Sequence, residues 1–520
     1  MSVRSERPAS RGIYNAAAWL VDRHIEAGDG GRIAYRVDGV DTSYETLQGE
    51  VFRAQNALRA LDVRRGERVA LIVDDELAFP AFFLGALRSG IVPIPLSTML
   101  TAGELSAIVG DACAGAVVLS ERYAGHVGAL ATADEELRHA VVIGSPTGDA
   151  AVPAHAWASF TDTSEPPVAS TKEDSPAFWL YSSGTTGVPK GVMHRHASPQ
   201  ATASTYAHSV LNTTPDDRFL SVAKLFFAFG LGNSLTFPLA VGGCAVLNPR
   251  PPTPPTVAAL VAEEQPTLFF ASPGFVAGLL DANVPPDAFA SVRATVTAGE
   301  SLPADLQRRF SARFGHPVLD GIGTSEALHI FISNRAGSER AGSSGTPVPG
   351  YEARLVSEDG VLVTDADTPG YLQVRGPSLT TGYWSRDAAT RAALQGEWLA
   401  TGDVYTRSVD GYWTFLGRNS DMIKAGGIWV SPAEVESVLI EHPDVLEAAV
   451  VGSRDASGLE QTVAFLVARQ GATIDVAAID VHCRERMAAF KRPRRVEVVT
   501  DLPKTATGKI KRFALRDSLG

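Results

Sequence analysis

Between about residues 33 and 250, short β-rich apolar runs alternate with helical stretches. The run at 69–73 (Val-Ala-Leu-Ile-Val) is followed by a helical stretch at 81–89 and a turn at Gly90. The unit recurs at 116–119 (Ala-Val-Val-Leu) and 140–143 (Ala-Val-Val-Ile). Strands alternating with helices predict parallel sheets covered by helices. A loop rich in Thr, Ser, Pro and Asp (161–176) and the run PPTPP at 251–255 separate this stretch from its neighbours. A further alternating block covers roughly 256–330, with strands expected at 267–271 and 294–297. After about 340, glycine-punctuated runs at 351–356, 371–374 and 412–416 predict a β-rich, barrel-like module with tight turns. From about 420 a compact α+β pattern begins, with helices expected at 431–441 and 475–489 and strands at 445–451 and 462–467. The expected architecture is therefore α/β. A large N-terminal domain (1–418) of two helix-covered mixed or parallel sheets plus the β-rich module precedes a small α+β domain (419–520). No internal repeat or low-complexity tract stands out.

Composition narrows the class. The chain has 520 residues, of which 45% are hydrophobic and 20% charged. That excludes a disordered, collagenous or disulfide-stapled protein. A net charge of −12 disfavours a general nucleic-acid binder, which normally carries a basic footprint. Small anionic ligands remain open, because a few local lysines suffice for a phosphate. Cys113, Cys244 and Cys483 are widely spaced and form no C-x-x-C pair, so buried thiols in a reducing compartment are expected. No segment reaches the ~18 uninterrupted apolar residues of a membrane span. The opening MSVRSERPASRGIYN has no apolar core of the kind a secretion signal needs, and an amphipathic helix follows Asn15 and stops near Gly28. A cytoplasmic protein is expected; self-association is left open.

The strongest local signal is Tyr181-Ser-Ser-Gly-Thr-Thr-Gly-Val-Pro-Lys190-Gly191, following the apolar run 177–180. Gly184 and Gly187 permit a tight turn that offers backbone N–H groups to phosphate oxygens. Ser182, Ser183, Thr185 and Thr186 add hydroxyl donors, and Lys190 adds a positive charge. A surface loop of small residues is the bland alternative. A Walker loop is excluded by spacing: the glycines are three apart, and Gly191 rather than Ser or Thr follows Lys190.

This loop resembles the signature of adenylate-forming enzymes, which include acyl-CoA synthetases, peptide-synthetase adenylation domains and firefly-type luciferases. Further motifs follow in the family's order: Ala298-Gly-Glu300, Gly321-Ile-Gly-Thr-Ser-Glu326, Thr401-Gly-Asp403, Gly417-Arg418 and Pro503-Lys-Thr-Ala-Thr-Gly-Lys509. Within the superfamily the opening Tyr14-Asn-Ala-Ala-Ala, Lys224-Leu-Phe-Phe-Ala-Phe-Gly-Leu-Gly-Asn233 and Leu328-His-Ile-Phe-Ile-Ser-Asn334 resemble the benzoate–CoA ligase branch. The resemblance implies two half-reactions. A carboxylate attacks the α-phosphorus of ATP to give an acyl-adenylate and pyrophosphate; the thiol of coenzyme A then displaces AMP. A cation near the reacting oxygens would stabilise the developing charge.

Residue roles follow by the same resemblance. Lys509 is the expected adenylation lysine, with a solvated basic tail (Lys504, Lys511, Arg512) as the alternative. Glu326 is the expected Mg2+-linked acid, with a helix-start glutamate after Thr324 and Ser325 as the alternative. Asp403 and Arg418 are expected at the ribose, and Asp320 and Ala298-Gly299-Glu300 around adenine. Asp320 and Ile322 replace a frequent Asn and a frequent aromatic stacker. Ala228, Phe229, Gly323, His329 and Ile330 are expected to line the acid pocket. Small residues at 228 and 323 leave room for a flat ring, Phe229 and Ile330 supply apolar walls, and His329 orients the carboxylate. A core histidine is the alternative for His329. Phe229 stands where benzoate ligases often have Tyr. Ser420 occupies the hinge position, where Asp or Lys is common. Lys424, Gly426, Gly427 and Trp429 are expected beside the pantetheine tunnel, with an ordinary turn as the alternative. The basic run 491–495 reads as a solvated loop, and His194 and His196 as non-ligands.

The sequence thus predicts an ATP- and Mg2+-dependent aryl-acid–CoA ligase, with benzoate as the leading acid and small molecules rather than nucleic acid or membrane as partners. Substituted benzoates, a carrier-protein thiol, or a luciferase-like oxygenase using the same adenylate are the alternatives.

Overall fold

A computed structural model describes residues 12–133, 135–146, 152–183, 189–282, 284–419, 421–425, 428–454, 460–504 and 510–519. Four neighbouring strand pairs make a five-stranded parallel sheet in the order Val92–Pro95, Arg68–Ile72, Ala114–Ser120, His139–Ile143, Ala154–Ala156. The larger sheet has nine strands. Its parallel centre runs Val318–Gly323, Ala294–Thr297, Leu268–Ala271, Arg218–Ser221, Cys244–Leu247, Ile33–Val37. Antiparallel strands close both edges: Val40–Ser43 on one side, Ile330–Ser333 and Thr346–Pro347 on the other.

Alternation along the strands explains the layering. In Arg68–Ile72, Val69 and Leu71 enter a core shared with the nine-stranded sheet, while Ala70 and Ile72 enter a second core under the helix Ala102–Ala112. Successive side chains point to opposite faces of a sheet, so an apolar run feeds two cores at once. The shared core holds the helix Ala78–Ser89, buried almost all round. A helix that is apolar on every face must lie between layers. The outer face of the larger sheet packs on Pro254–Glu264, Pro273–Asp281 and Ala304–Phe314 through Val261, Val276 and Phe310.

One strand assignment differs from the reading of the sequence. The hairpin Ile33–Val37/Val40–Ser43 opens the first alternating stretch, yet it joins the nine-stranded sheet, with Tyr35 opposite Ala245. Its partner strand is remote in sequence, so local periodicity carries no sign of the pairing.

Past residue 350 the strands Glu352–Val356, Leu362–Val363, Gly370–Arg375, Leu394–Gln395, Trp398–Arg407 and Trp413–Arg418 pair antiparallel. From Ile423 onward the chain builds two cores of its own. They lie on the two faces of the sheet Val445–Arg454, Glu460–Ala468, Arg495–Val499, under the helices Pro432–Ile440, Val476–Arg486 and Arg512–Asp517.

Candidate active site

A cavity of about 940 Å³ opens where the carboxyl ends of the parallel strands meet the C-terminal segment. Ligands of open α/β sheets bind at such strand ends. Its walls include Gly299, Glu300, Asp320, Gly321, Ile322, Gly323, Asp403 and Arg418 on one side, and Glu434, Glu436, Lys504, Ile510 and Arg512 on the other. Of the expected adenine and ribose residues, Gly299, Glu300, Asp320, Asp403 and Arg418 thus share one space, and Ala298 is not among its lining.

The strand Val318–Gly323 brings four of the wall residues, Asp320, Gly321, Ile322 and Gly323. Asp320 is buried and accepts a hydrogen bond from the Thr297 hydroxyl at 2.8 Å. Burial pushes its carboxyl up to about 8, against the pull of Thr297 and the Gly321 amide, so it is protonated at neutral pH. Gly323 lies opposite Ile330 on the neighbouring strand. A Cβ there would come within 2.6 Å of the His329 carbonyl oxygen, so only glycine lets the two strands approach this closely.

The turn after this strand carries Glu326. The Thr324 hydroxyl accepts from the Glu326 amide at 3.1 Å and also donates to its carboxylate. The other carboxylate oxygen accepts from the Tyr383 hydroxyl at 2.9 Å. Leu328 closes the turn at φ +66°, a left-handed conformation uncommon for a residue with a side chain. The imidazole of His194 reaches the Ser325 carbonyl at 2.8 Å while stacking on Phe178. His194 therefore ties this turn to the hairpin that carries Ser182 and Lys190.

That hairpin is formed by Pro176–Ser183 and Pro189–Arg195, with Ser182 opposite Lys190. Gly382–Tyr383 adds a third strand, and the Trp384 amide donates to the Gly191 carbonyl at 2.8 Å. Asp111 fastens the assembly: its carboxylate accepts from Tyr181 (2.7 Å) and Arg386 (2.5 Å), and its carbonyl from the Trp384 indole (2.9 Å). The Lys190 ammonium lies 5.6 Å from the Tyr383 ring centroid. Gly184, Thr185, Thr186 and Gly187 lie outside the described residues.

Asp403 and Arg418 face each other across paired strands, with Arg418 Nε 2.8 Å from Asp403 Oδ1. Arg418 Nη1 also donates to the Thr401 carbonyl at 3.0 Å. Ala298 is buried one residue before Gly299.

The expected acid-pocket residues gather elsewhere. Ala228, Phe229, His329 and Ile330 are not among the residues lining the large cavity, which Ile322 and Gly323 reach. His329 is buried, with ring centroids of Phe237, Tyr206 and Phe229 at 4.5, 5.1 and 5.5 Å. Its Nε2 lies 3.1 Å from Asn233 Oδ1. Burial holds the imidazole down to about 3, against the Phe229 backbone, so it is neutral.

On the C-terminal side, Lys504 and Ile510 bridge each other and both line the cavity. Arg512 binds Glu436 through two contacts of 2.7 and 2.9 Å. Lys509, Ser420, Gly426 and Gly427 lie outside the described residues. Lys424 and Trp429 pair on the strands Ile423–Ala425 and Ile428–Val430. Cys113 and Cys244 are half-buried and Cys483 is buried, and all three are free. Among the described residues no cluster of three or more acidic, histidine or cysteine side chains is arranged to hold a metal, and no helix is long and apolar enough to cross a membrane.

Three residues were not legible as site members: Tyr383, His194 and Asn233. Each acts through a partner more than 50 residues away, and only the adjacency of Tyr383 to Gly382 and Trp384 in a Gly-Tyr-Trp string offered a local hint.

The AMP-binding enzyme family matches residues 22–384, and the AMP-binding enzyme C-terminal domain matches residues 434–509. A benzoate–CoA ligase of Thauera aromatica is 43% identical over 514 residues, covering 97% of this chain and 96% of the relative. The crystal structure of a benzoate CoA ligase from Burkholderia xenovorans LB400 superposes with a TM-score of 0.89 at 40% identity, covering 97% and 100% of the two chains. The anthranilate CoA ligase AuaEII, solved with anthranoyl-AMP, superposes at 0.92 with 37% identity, covering 99% and 98%. With the family model matching residues 22–384 and a 43% identical relative covering 97% of its length, the chain belongs to the AMP-binding enzyme family of adenylate-forming ligases.

Proposed function

We propose that this protein is an AMP-forming aryl-acid–CoA ligase whose acid is benzoate. The observation that carries the reading is the convergence of Asp320, the Asp403–Arg418 pair and the Lys504 and Ile510 flanks on one cavity. Protonated Asp320 offers adenine a donor and an acceptor, and Asp403 offers ribose hydroxyls a carboxylate. The phosphates then extend toward Lys190. In the first half-reaction a carboxylate oxygen bonds to the α-phosphorus and pyrophosphate leaves, with Lys509 as the cation that steadies the transferred charge. In the second, the coenzyme A thiolate attacks the acyl carbon and AMP leaves.

Glu326 fits a hard divalent ion. Its carboxylate sits beside the Thr324 hydroxyl and is oriented by Tyr383, an all-oxygen setting. Because it is a single acid, Mg2+ would fill the rest of its shell with phosphate oxygens and water. The ion would neutralise phosphate charge.

Ala228, Phe229, Gly323, His329 and Ile330 form the aryl side. Neutral His329 cannot pair with a carboxylate as a cation, so its role is directional hydrogen bonding and shape. Phe229 offers no hydroxyl to a ring substituent, which favours benzoate over hydroxy- or aminobenzoates. Residues 1–418 and 419–520 act as two bodies about Ser420, and the segment with Lys424, Gly426, Gly427 and Trp429 swings in to receive free coenzyme A. Such a reaction belongs in the cytoplasm, where ATP and coenzyme A are available.

The test is a product assay with ATP, Mg2+, coenzyme A and a panel of benzoates and short fatty acids. AMP with benzoyl-CoA is expected. Pyrophosphate without thioester would move the acceptor to a carrier protein, and ADP would overturn the reading.

A further inference from the structure

Lys190 and Glu326 both reach the same side chain. The hydroxyl of Tyr383 donates to Glu326 Oε1 at 2.9 Å, and the Lys190 ammonium lies 5.6 Å from the centroid of the same ring. Among the described residues neither Lys190 nor Glu326 forms an ion pair, although they carry opposite charge around one half-buried phenol. A direct ion pair between the two would quench the charges that the proposed reaction needs at the phosphates.

Tyr383 is itself held from the backbone. It pairs with Val192 on the strand that carries Lys190, and its amide donates to the Thr390 hydroxyl at 2.9 Å. The Glu326 carbonyl is fixed independently by the Thr380 amide at 2.7 Å. A phenol anchored between a cation and an anion can bind both with different parts of itself. Its hydroxyl serves the carboxylate, and its electron-rich face serves the ammonium.

We propose that Tyr383 is a positioning residue that holds Lys190 and Glu326 apart and aims both at the triphosphate. The proposal rests on the adenylation reading above.

The test is a pair of double-mutant cycles in the full-length protein. Tyr383→Phe keeps the ring and removes the donor; Tyr383→Leu removes both. The readouts are benzoate-dependent ATP–pyrophosphate exchange, thiolysis of supplied benzoyl-adenylate, and the ATP dissociation constant by equilibrium dialysis. Tyr383→Phe should slow exchange about tenfold with little change in ATP affinity, as for loss of a hydrogen bond to a charged group. Tyr383→Leu should also weaken ATP binding about threefold to tenfold, as for loss of a cation–π contact. Thiolysis should stay within about twofold in each, because it needs no pyrophosphate contact. The Phe effect should vanish in a Glu326→Gln background, and the extra Leu effect in a Lys190→Met background. Additive effects in both cycles, or equal losses in both half-reactions, would mean that Tyr383 only packs. If the wild type makes no pyrophosphate from ATP and any aryl acid, the functional reading fails instead. The dissociation constants of the Leu, Met and double variants then decide the Lys190 half of the proposal without turnover.

Discussion

The imidazole of His329 and the side-chain oxygen of Asn233 meet at 3.1 Å across a sequence separation of 96 residues. Asn233 belongs to a π-turn, Gly232–Thr236, in which one extra residue per turn re-aims the side chains. Gly232 makes room for the ring: a Cβ there would lie 2.3 Å from His329 Cδ2. With the ring neutral and the amide oxygen facing Nε2, the proton sits on Nε2. Asn233→Leu would strand that N–H in an apolar setting. We expect a stability loss of about 1–3 kcal/mol, the usual cost of an unpaired buried polar group. We also expect the KM for benzoate to rise while the KM for ATP holds. Denaturant melts and initial-rate kinetics on one preparation check both; a shift of the two KM values together would confine the pair to the fold.

Acid should destabilise the protein well above the carboxylate range. His194, His196 and His316 are held down to about 4 and His329 to about 3, each chiefly by burial. The unfolded chain titrates its histidines near ~6.5. Below that pH it takes up protons that the folded state refuses, so stability present above ~6.5 is lost as pH falls toward 4. Two buried acids act in the opposite sense. Asp75, raised to about 6, and Asp320, raised to about 8, keep protons in the folded state and weaken it as pH rises. Near pH 5 the four histidines outweigh the two acids. Urea midpoints should therefore climb from pH 4.5 to 6.5 and decline slightly toward 8 as Asp320 loses its proton. His316→Gln, away from the site, should flatten the lower limb. A midpoint that rises on acidification from 6.5 would contradict the argument.

The elements whose side chains feed a core along their own length were legible. The strands expected at 445–451 and 462–467 are found as Val445–Arg454 and Glu460–Ala468, and that at 294–297 as Ala294–Thr297. The helix after Asn15 is partly a π-helix, Ala18–Asp22, continued by Arg23–Glu26, with Gly28 at φ +88°. Pairings between remote segments were not legible. Nothing in the Gly382–Tyr383 dipeptide marks it as the third strand beside the Pro176–Ser183/Pro189–Arg195 hairpin, because two residues have no period. His194 and His196 look alike in sequence, yet one binds the Ser325 carbonyl and the other receives the Ala16 amide at 3.1 Å. The motif order brought Asp320, Asp403 and Arg418 into view only through resemblance, since a Thr-Gly-Asp or Gly-Arg string alone is an ordinary turn.

The Asp403–Arg418 pair gives a test of nucleotide orientation. Arg418 is spread between the Asp403 carboxylate and the Thr401 carbonyl, which fixes the carboxylate on its strand. If that carboxylate accepts from ribose hydroxyls, Asp403→Asn should raise the KM for ATP about tenfold, as for a charge-assisted hydrogen bond. The KM for benzoate should hold. With a 2′,3′-dideoxy analogue of ATP, wild type and variant should converge, because the partner hydroxyls are gone. A tenfold gap that persists with the analogue would place Asp403 away from the sugar.

Arg469 and Asp281 join the two parts of the chain at 3.7 Å, and Arg469 Nε also donates to the Pro443 carbonyl at 3.0 Å. Arg469 lines the large cavity alongside Lys504 and Ile510, so the ion pair accompanies the arrangement in which the C-terminal segment covers that cavity. Rotation of that segment between half-reactions would have to break it. The pair is partly exposed, at 19% and 26%, and such pairs contribute only ~0.2–1 kcal/mol. Its effect on the balance of two arrangements is correspondingly small, roughly one- to fivefold. Arg469→Asp should slow benzoate-dependent ATP–pyrophosphate exchange by about that factor and leave thiolysis of supplied benzoyl-adenylate unchanged or slightly faster. The exchange Arg469→Asp with Asp281→Arg should restore the wild-type ratio. Arg309 and Asp305 also act on Arg469, so single substitutions alone are ambiguous and the ratio in the double variant decides. Equal slowing of both half-reactions would show that the pair holds the fold and has no part in choosing between arrangements.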